Sequence, residues 1–249
     1  MAIVIKSAGE LAVMRKAGRV VAVTLAALAR QVRPGMTTLE LDRLAEFTIR
    51  AQGATPSFKG YRGFPASVCV SVNEEVVHGI PGKRVLREGE IVSLDVGAIF
   101  EGMQGDAALT VPVGQVSTRM QTLMRVTQVA LAAGIQEARV GNRLGDISAA
   151  IQKVAEGAGF SVVREYGGHG VGRSMHEDPH IPNWGQPGTG ILLKAGMTLA
   201  LEPMVNVGKY QVRVKSDNWT VVTVDGQPSA HFEHTVAITE GEPEILTVE

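Results

Sequence analysis

Four carboxylates and one imidazole stand where ordinary core residues are expected. Asp95 interrupts the apolar run Ile91-Val-Ser-Leu-Asp-Val-Gly, and Glu202 ends Met197-Thr-Leu-Ala-Leu-Glu-Pro. Glu233 lies inside His231-Phe-Glu-His-Thr-Val-Ala-Ile, Asp106 follows Gly105, and His169 sits in Tyr166-Gly-Gly-His-Gly-Val-Gly. Charged side chains are almost never fully buried unless they are paired or bound to a metal. Four acids in strand-like contexts therefore call for cations, and two divalent ions would balance their charge. An oxygen-rich donor set with one imidazole suits Mn, Fe(II), Co or Zn better than it suits a thiolate-bound structural zinc. Carboxylate bridges of this kind commonly hold paired ions ~3.5–4 Å apart with water between them, which is the apparatus of two-metal hydrolysis.

Spacing supports convergence. If Glu101-Gly102 forms a two-residue turn, Asp95 faces Ala108 across the hairpin and Asp106 lies two residues away on the same face. Diagonal neighbours in a sheet stand ~7–8 Å apart at the backbone, within reach of a shared ion. Glycines on both sides of His169 remove bulk and let a ligand approach closely. That loop lacks the Lys-Ser/Thr ending of a phosphate-binding P-loop. Of the six histidines, those at 169, 176, 180, 231 and 234 cluster in or near these segments, and His78 lies in a turn of its own. Singly, each residue admits a plainer account as a turn residue, a strand-end cap or a salt-bridged core group. The set carries the argument.

The bulk numbers narrow the class. The chain has 249 residues, 45% hydrophobic and 20% charged, with a formal net charge of -1. Such a balance is ordinary for a globular protein and gives no basic excess for nucleic acid. One cysteine, Cys69, excludes an intrachain disulfide and fits a reducing compartment. The N-terminal residues do not read as a signal peptide, and no uncharged apolar run reaches the ~18 residues of a membrane span. A cytoplasmic protein is expected.

The elements that must position the acids follow from periodicity. Residues 7 to 31 read as an amphipathic helix opened by Ser7 with Glu10 three positions on, a capping box, and stopped by Pro34-Gly35. A second helix starts at Thr38 and ends before Gly53. Residues 66 to 77 alternate like strands about Asn73-Glu74, and 91 to 113 read as a hairpin. Residues 117 to 138 and 143 to 156 are helical again, and short strands with Gly/Pro-rich loops fill 160 to 240. A shift of 106 residues pairs Met14 with Met120, Leu25 with Leu131, Gly35 with Gly141, Glu40 with Asp146, Leu41 with Ile147 and Gly53 with Gly159. The expectation is one α+β domain over 1–249, built of pseudo-twofold halves at about 7–113 and 117–240, with the site between them.

At this point the residues resemble a known family. Gly60-Tyr-Arg-Gly-Phe-Pro, His78-Gly-Ile-Pro, Asp95 with Asp106, Gly168-His-Gly-Val-Gly, Glu202-Pro-Met and Phe232-Glu-His-Thr recur in the order of type I methionine aminopeptidase, from about residue 7 to 240. The resemblance implies the pita-bread fold, a curved antiparallel sheet covered by two helix pairs. It also implies removal of the initiator methionine from nascent chains. The large insertion of type II enzymes is missing, as is the Cys-rich extension of some eukaryotic type I forms, so the chain looks like the short bacterial type.

Carried over by position, Asp95 would bind one ion, Asp106 and Glu233 would bridge, and His169 and Glu202 would complete the other ion's shell. A bridging hydroxide would attack the peptide carbonyl, with Glu202 as proton shuttle. His176 would hydrogen-bond the scissile carbonyl and His78 would lie near the scissile nitrogen. The substrate's α-amine would coordinate a metal, restricting cleavage to N-termini. Tyr61, Phe64, Cys69, Met175 and Trp219 fall where the family lines its methionine pocket. Two departures mark this chain: Met175 replaces a common aromatic, and Phe58 stands where a small residue often sits. The same resemblance implies nascent N-termini as partners, transient ribosome contact, a monomeric state, and no nucleic-acid or membrane function. The chain's own Met1-Ala2 fits the substrate pattern. The nearest alternative is an Xaa-Pro dipeptidase or aminopeptidase P with the same metal site; a metal-free binding module on the same fold is the more distant one.

Overall fold

The computed structural model describes residues 3–249; Met1 and Ala2, and with them the self-substrate pattern, lie outside the described residues. Helix α1 (Ala8–Gln31) opens as its sequence dictates: the Ser7 hydroxyl accepts the Glu10 N–H and the Glu10 carboxylate accepts the Ser7 N–H. Helix α2 (Thr38–Ala51) repeats the device with Thr37 and Glu40. Helices α3 (Thr118–Glu137) and α4 (Leu144–Gly157) follow in the second half.

The main sheet has nine strands: β1 (Thr55–Pro56), β2 (Cys69–Val72), β3 (Ile91–Phe100), β4 (Met103–Pro112), β5 (Gly167–Gly170), β6 (Glu177–Pro182), β7 (Thr198–Leu201), β8 (Glu233–Ala237) and β9 (Glu244–Ile245). Its order is β1-β3-β4-β8-β7-β5-β6, with β2 also on β3 and β9 also on β8. Every pairing is antiparallel. The expected hairpin is β3–β4. Glu101 and Gly102 hold φ of 47° and 80°, the left-handed pair that a tight hairpin turn demands. That turn sets the register Asp95↔Ala108 and Gly97↔Asp106, as the sequence predicts.

Alternation then sorts the faces. Val92, Leu94, Val96 and Ala98 pack with Val21, Leu28, Leu41 and Ile49 of α1 and α2. Ser93, Asp95 and Gly97 point the other way. A second core joins Leu123, Leu131, Ile147 and Ile151 of α3 and α4 to Leu199, Leu201 and Val236. One expectation is corrected in detail: Cys69–Val72 and Glu75–Val77 are strands but do not alternate, because both of their faces are buried.

The two helix pairs end alike. Gly35 and Gly141 have φ of 88° and 94°, and Gly53 and Gly159 have φ of 76° and 80°. Thr37 and Arg143 each make an isolated antiparallel bridge, to Val85 and Leu192. The N–H groups of Ala54 and Phe160 return to the carbonyls of Ile49 and Ala155 at 3.3 and 3.2 Å. These positions differ by 106, except the bridge partners Val85 and Leu192, which differ by 107.

Gly18 admits α1 against the C-terminal strap: a Cβ there would run into the Leu246 carbonyl, whereas Gly9 on the same helix faces open space. Overpacking of this kind costs about 1–3 kcal/mol. Gly18→Ala should therefore lower the urea midpoint, and Gly9→Ala should leave it unchanged or raise it slightly, with equal denaturant slopes checking that both unfold in the same way.

Candidate metal centre and its pocket

Two threonines set the floor of the site. On β8, the Thr235 hydroxyl accepts the Asp106 N–H at 3.1 Å and donates to the Asp106 carbonyl at 2.8 Å. On β4, the Thr110 hydroxyl does the same to His231, at 2.9 and 2.8 Å. Between these clamps Glu233 stands opposite Ala108. Asp106 and Glu233 are thus brought to one face from strands far apart in the chain. His169 joins them because it pairs with Ala200, which pairs with Thr235. A Cβ on Gly168 or Gly170 would collide with the carbonyls of Ala200 or Asp178, so glycine alone allows β5 to lie this close.

Donor atoms of Asp106, His169 and Glu233 all lie within 4.8 Å of one another. Glu202 Oε1 is 3.6 Å from His169 Nε2. Asp95 lies on the same face of β3, one diagonal step from Asp106. The His169 Nδ1 is 2.9 Å from the Gly170 carbonyl, which can only accept, so the hydrogen is on Nδ1 and the Nε2 lone pair faces the carboxylates. Asp95 Oδ1, Asp106 Oδ1 and Glu233 Oε1 are buried without any hydrogen-bond partner. Buried anionic oxygens with no donor are costly unless a cation takes their lone pairs. The donor set fits a divalent metal.

Electrostatics agree. Burial lifts Asp95 to about 7, while the neighbouring Cys69 thiol pulls it the other way. Burial, then the charges of neighbouring acids, hold Asp106, Glu202 and Glu233 well above the usual carboxylate range. The imidazoles move oppositely, as desolvation requires. Burial lowers His169 to about 3, helped by His176, and His78 to about 4, again helped by His176.

These groups line one narrow cavity of about 140 Å³. Asp95, Asp106, His169, Glu202 and Glu233 occupy it together with His78 and His176. Tyr61, Phe64, Cys69 and Trp219 form its apolar wall, with Phe64 and Trp219 edge to face at 5.1 Å. Met175 lies one layer back: its Cε and Phe58 Cε1 meet over the space that a Gly97 side chain would fill. Phe58 itself reaches the cavity, as does Arg62, which the sequence did not single out for a role. Histidine clustering is only partly realised. His180 is exposed and the His234 Nδ1 turns to the Thr247 hydroxyl at 2.8 Å. His231, by contrast, is fully buried behind the acids, its Nε2 3.8 Å from Glu202 and 3.7 Å from Glu233. Its place two residues before Glu233, on the same strand parity, was the available signal.

Comparison with known proteins decides the family. The model of metallopeptidase family M24 matches residues 12–240. The chain belongs to that family. It is 57% identical to methionine aminopeptidase 1 of Bacillus subtilis strain 168, over 98% of this chain and 99% of that protein. A crystal structure of methionine aminopeptidase from Thermotoga maritima superposes with a TM-score of 0.98, at 51% identity and full coverage of both chains. Within M24 the chain therefore falls among the type I bacterial methionine aminopeptidases, and its fold is the pita-bread fold. Prolidase from Pyrococcus furiosus shares that fold with a TM-score of 0.79 at 21% identity; this chain covers 65% of it. Among the described residues no helix is long and apolar enough to cross a membrane.

A carboxyl held above its ordinary value stabilises the metal-free fold below that ordinary value, and the contribution is lost as pH rises through the folded value. For Asp95 the loss spans the interval up to about 7. With chelator present, Asp95→Asn should gain melting temperature relative to the parent as pH rises from about 5 to about 8. Divalent metal should reverse the order, since the parent alone keeps its full donor set; a parent curve parallel to the variant's would contradict the assignment.

Proposed function

We propose that this enzyme removes the N-terminal methionine from nascent proteins and peptides with a small second residue, using two divalent ions. The observation that carries the reading is the set of partnerless carboxylate oxygens at the floor of an aromatic-walled cavity. Its relatives' names agree with that reading.

Asp95, Asp106, His169, Glu202 and Glu233 would hold the ions, of Mn, Fe(II), Co or Zn type. When bound, such ions polarise a carbonyl and make water acidic enough to act as a nucleophile near neutral pH. The remaining steps belong to the chain's own groups. Phe64, Trp219 and Tyr61 receive the methionine side chain, with Cys69 at the inner wall. Phe58 and Met175 crowd the same wall, so their bulk and flexibility set how long a side chain fits. The substrate's α-amine faces the carboxylate floor, which restricts cleavage to the first residue. His176, neutral and at the open rim, donates to the scissile carbonyl oxygen. Neutral His78 sits by the scissile nitrogen. The Glu202 carboxyl takes the proton of the attacking water and returns it to the leaving amine.

The two halves are proposed to form one catalytic domain with the site at their junction, supported by the matched turns 106 residues apart. The proposed setting is a cytoplasmic monomer that meets nascent chains at the ribosome.

Release of methionine from Met-Ala-Ser tests the reading, after chelation and readdition of Mn, Co, Fe(II) or Zn. Metal-dependent release is expected, with little cleavage when the first residue is not methionine. Cleavage confined to Xaa-Pro peptides would move the enzyme to its proline-directed relatives, and no cleavage with any metal would leave only a binding role. His176→Ala should lower turnover by about 100-fold or more with metal content intact. Glu202→Gln should abolish most activity; metal loss in the first variant or wild-type rates in the second would remove those roles.

A further inference from the structure

Tyr61 does more than face the cavity. Its hydroxyl oxygen lies 2.9 Å from His176 Nδ1, and the two rings stack with centroids 5.5 Å apart at 18°. Both contacts are made across 115 residues of chain, between two loops that also meet where Phe58 and Met175 converge over Gly97. The loop that carries Tyr61 is tightly knit. Gly60 and Gly63 take φ of 88° and 89°, and Arg62 takes 49°, a left-handed conformation that costs a non-glycine residue energy. Four backbone bonds close it: Gly60 to the Phe64 carbonyl, Tyr61 to Phe58, Gly63 to Gly60, and Phe64 to Tyr61, at 2.8 to 3.2 Å. Strain retained in a hydrogen-bonded loop holds one side chain in one place.

The other side of the contact is constrained as well. The His176 ring lies 4.2 Å from that of His169, centroid to centroid, so rotation would drive it into a metal-ligand candidate. A neutral imidazole has a single N–H, and the hydrogen bond at one nitrogen determines what the other can offer. Tyrosine can donate to Nδ1 and leave the hydrogen on Nε2. If it accepts instead, Nε2 is left bare and useless as a donor to a carbonyl.

We propose that Tyr61 is a positioning residue: its hydroxyl donates to His176 Nδ1, so His176 carries its hydrogen on Nε2 and presents it to the substrate carbonyl. The inference rests on the role given to His176 above. It separates two functions of one side chain. The Tyr61 ring belongs to the pocket wall, while its hydroxyl acts through His176.

Tyr61→Phe keeps the ring and removes the hydroxyl. Turnover of Met-Ala-Ser should fall about 10- to 100-fold, the usual cost of losing an orienting partner, with KM little changed. In a His176→Ala background the same change should cost nothing further. Nitrogen-15 spectra of histidine-labelled, metal-free or zinc-loaded protein read the tautomer directly, with His176 assigned by its absence from the His176→Ala spectrum. A protonated Nε2 and bare Nδ1 are expected in the parent, and a mixture of tautomers in Tyr61→Phe. A protonated Nδ1 in the parent overturns the inference whatever the enzyme cuts. Full turnover in Tyr61→Phe alongside an inactive His176→Ala overturns it while sparing the proposed function. Full turnover in His176→Ala removes both.

Discussion

Keeping four acids inside one wall of a sheet governs the architecture. Each would be far more stable in water, and after burial the charges of neighbouring acids raise the proton affinity of Asp106, Glu202 and Glu233 further. A fold that accepts this must hold its carboxylates rigidly, since otherwise they would swing to solvent. The β3–β4 hairpin, the two threonine clamps and the glycines around His169 are the means. The clamps carry the most consequence. Between β4 and β8 a threonine hydroxyl stands in for a ladder bond at each end of the Ala108–Glu233 pair.

How much of this was legible in the chain depended on how local the cause was. Helix caps at Ser7 and Thr37 are decided within four residues. The hairpin register is decided by Glu101-Gly102, and so the shared face of Asp95 and Asp106 could be counted off before any coordinates. The metal set as a whole was visible because charged residues in apolar strands are conspicuous. Its partners were not. Nothing in Tyr61-Arg-Gly announces a bond to a histidine 115 residues later, and His231 looked like one more member of a cluster that in fact scatters, His180 and His234 turning away. Non-alternation in Cys69–Val72 was hidden too, since burial on both faces depends on a second layer contributed by distant strands.

The cavity wall illustrates a further limit of local reading. Met175 and Phe58 appeared as independent departures at separate positions. In three dimensions they are one feature: both side chains end over Gly97, whose missing Cβ gives them room. Glycine at 97, on the same face as Asp95, lets apolar atoms come down onto the floor beside the acids. The apolar wall and the acid floor therefore meet at a residue with no side chain.

The strap at the end of the chain has a bearing on how the molecule comes into being. Gly18 of α1 seats the Leu246 carbonyl, and Arg15 pairs with Glu244 across 229 residues. Helix α1 emerges in synthesis well before residues 244–246, and its packing cannot be completed until they have appeared. Contacts of such long span form late and slowly. The N-terminal half must wait, unsealed, for the rest of the polypeptide, so a chain interrupted before residue 244 lacks the piece that closes the first helix onto the sheet.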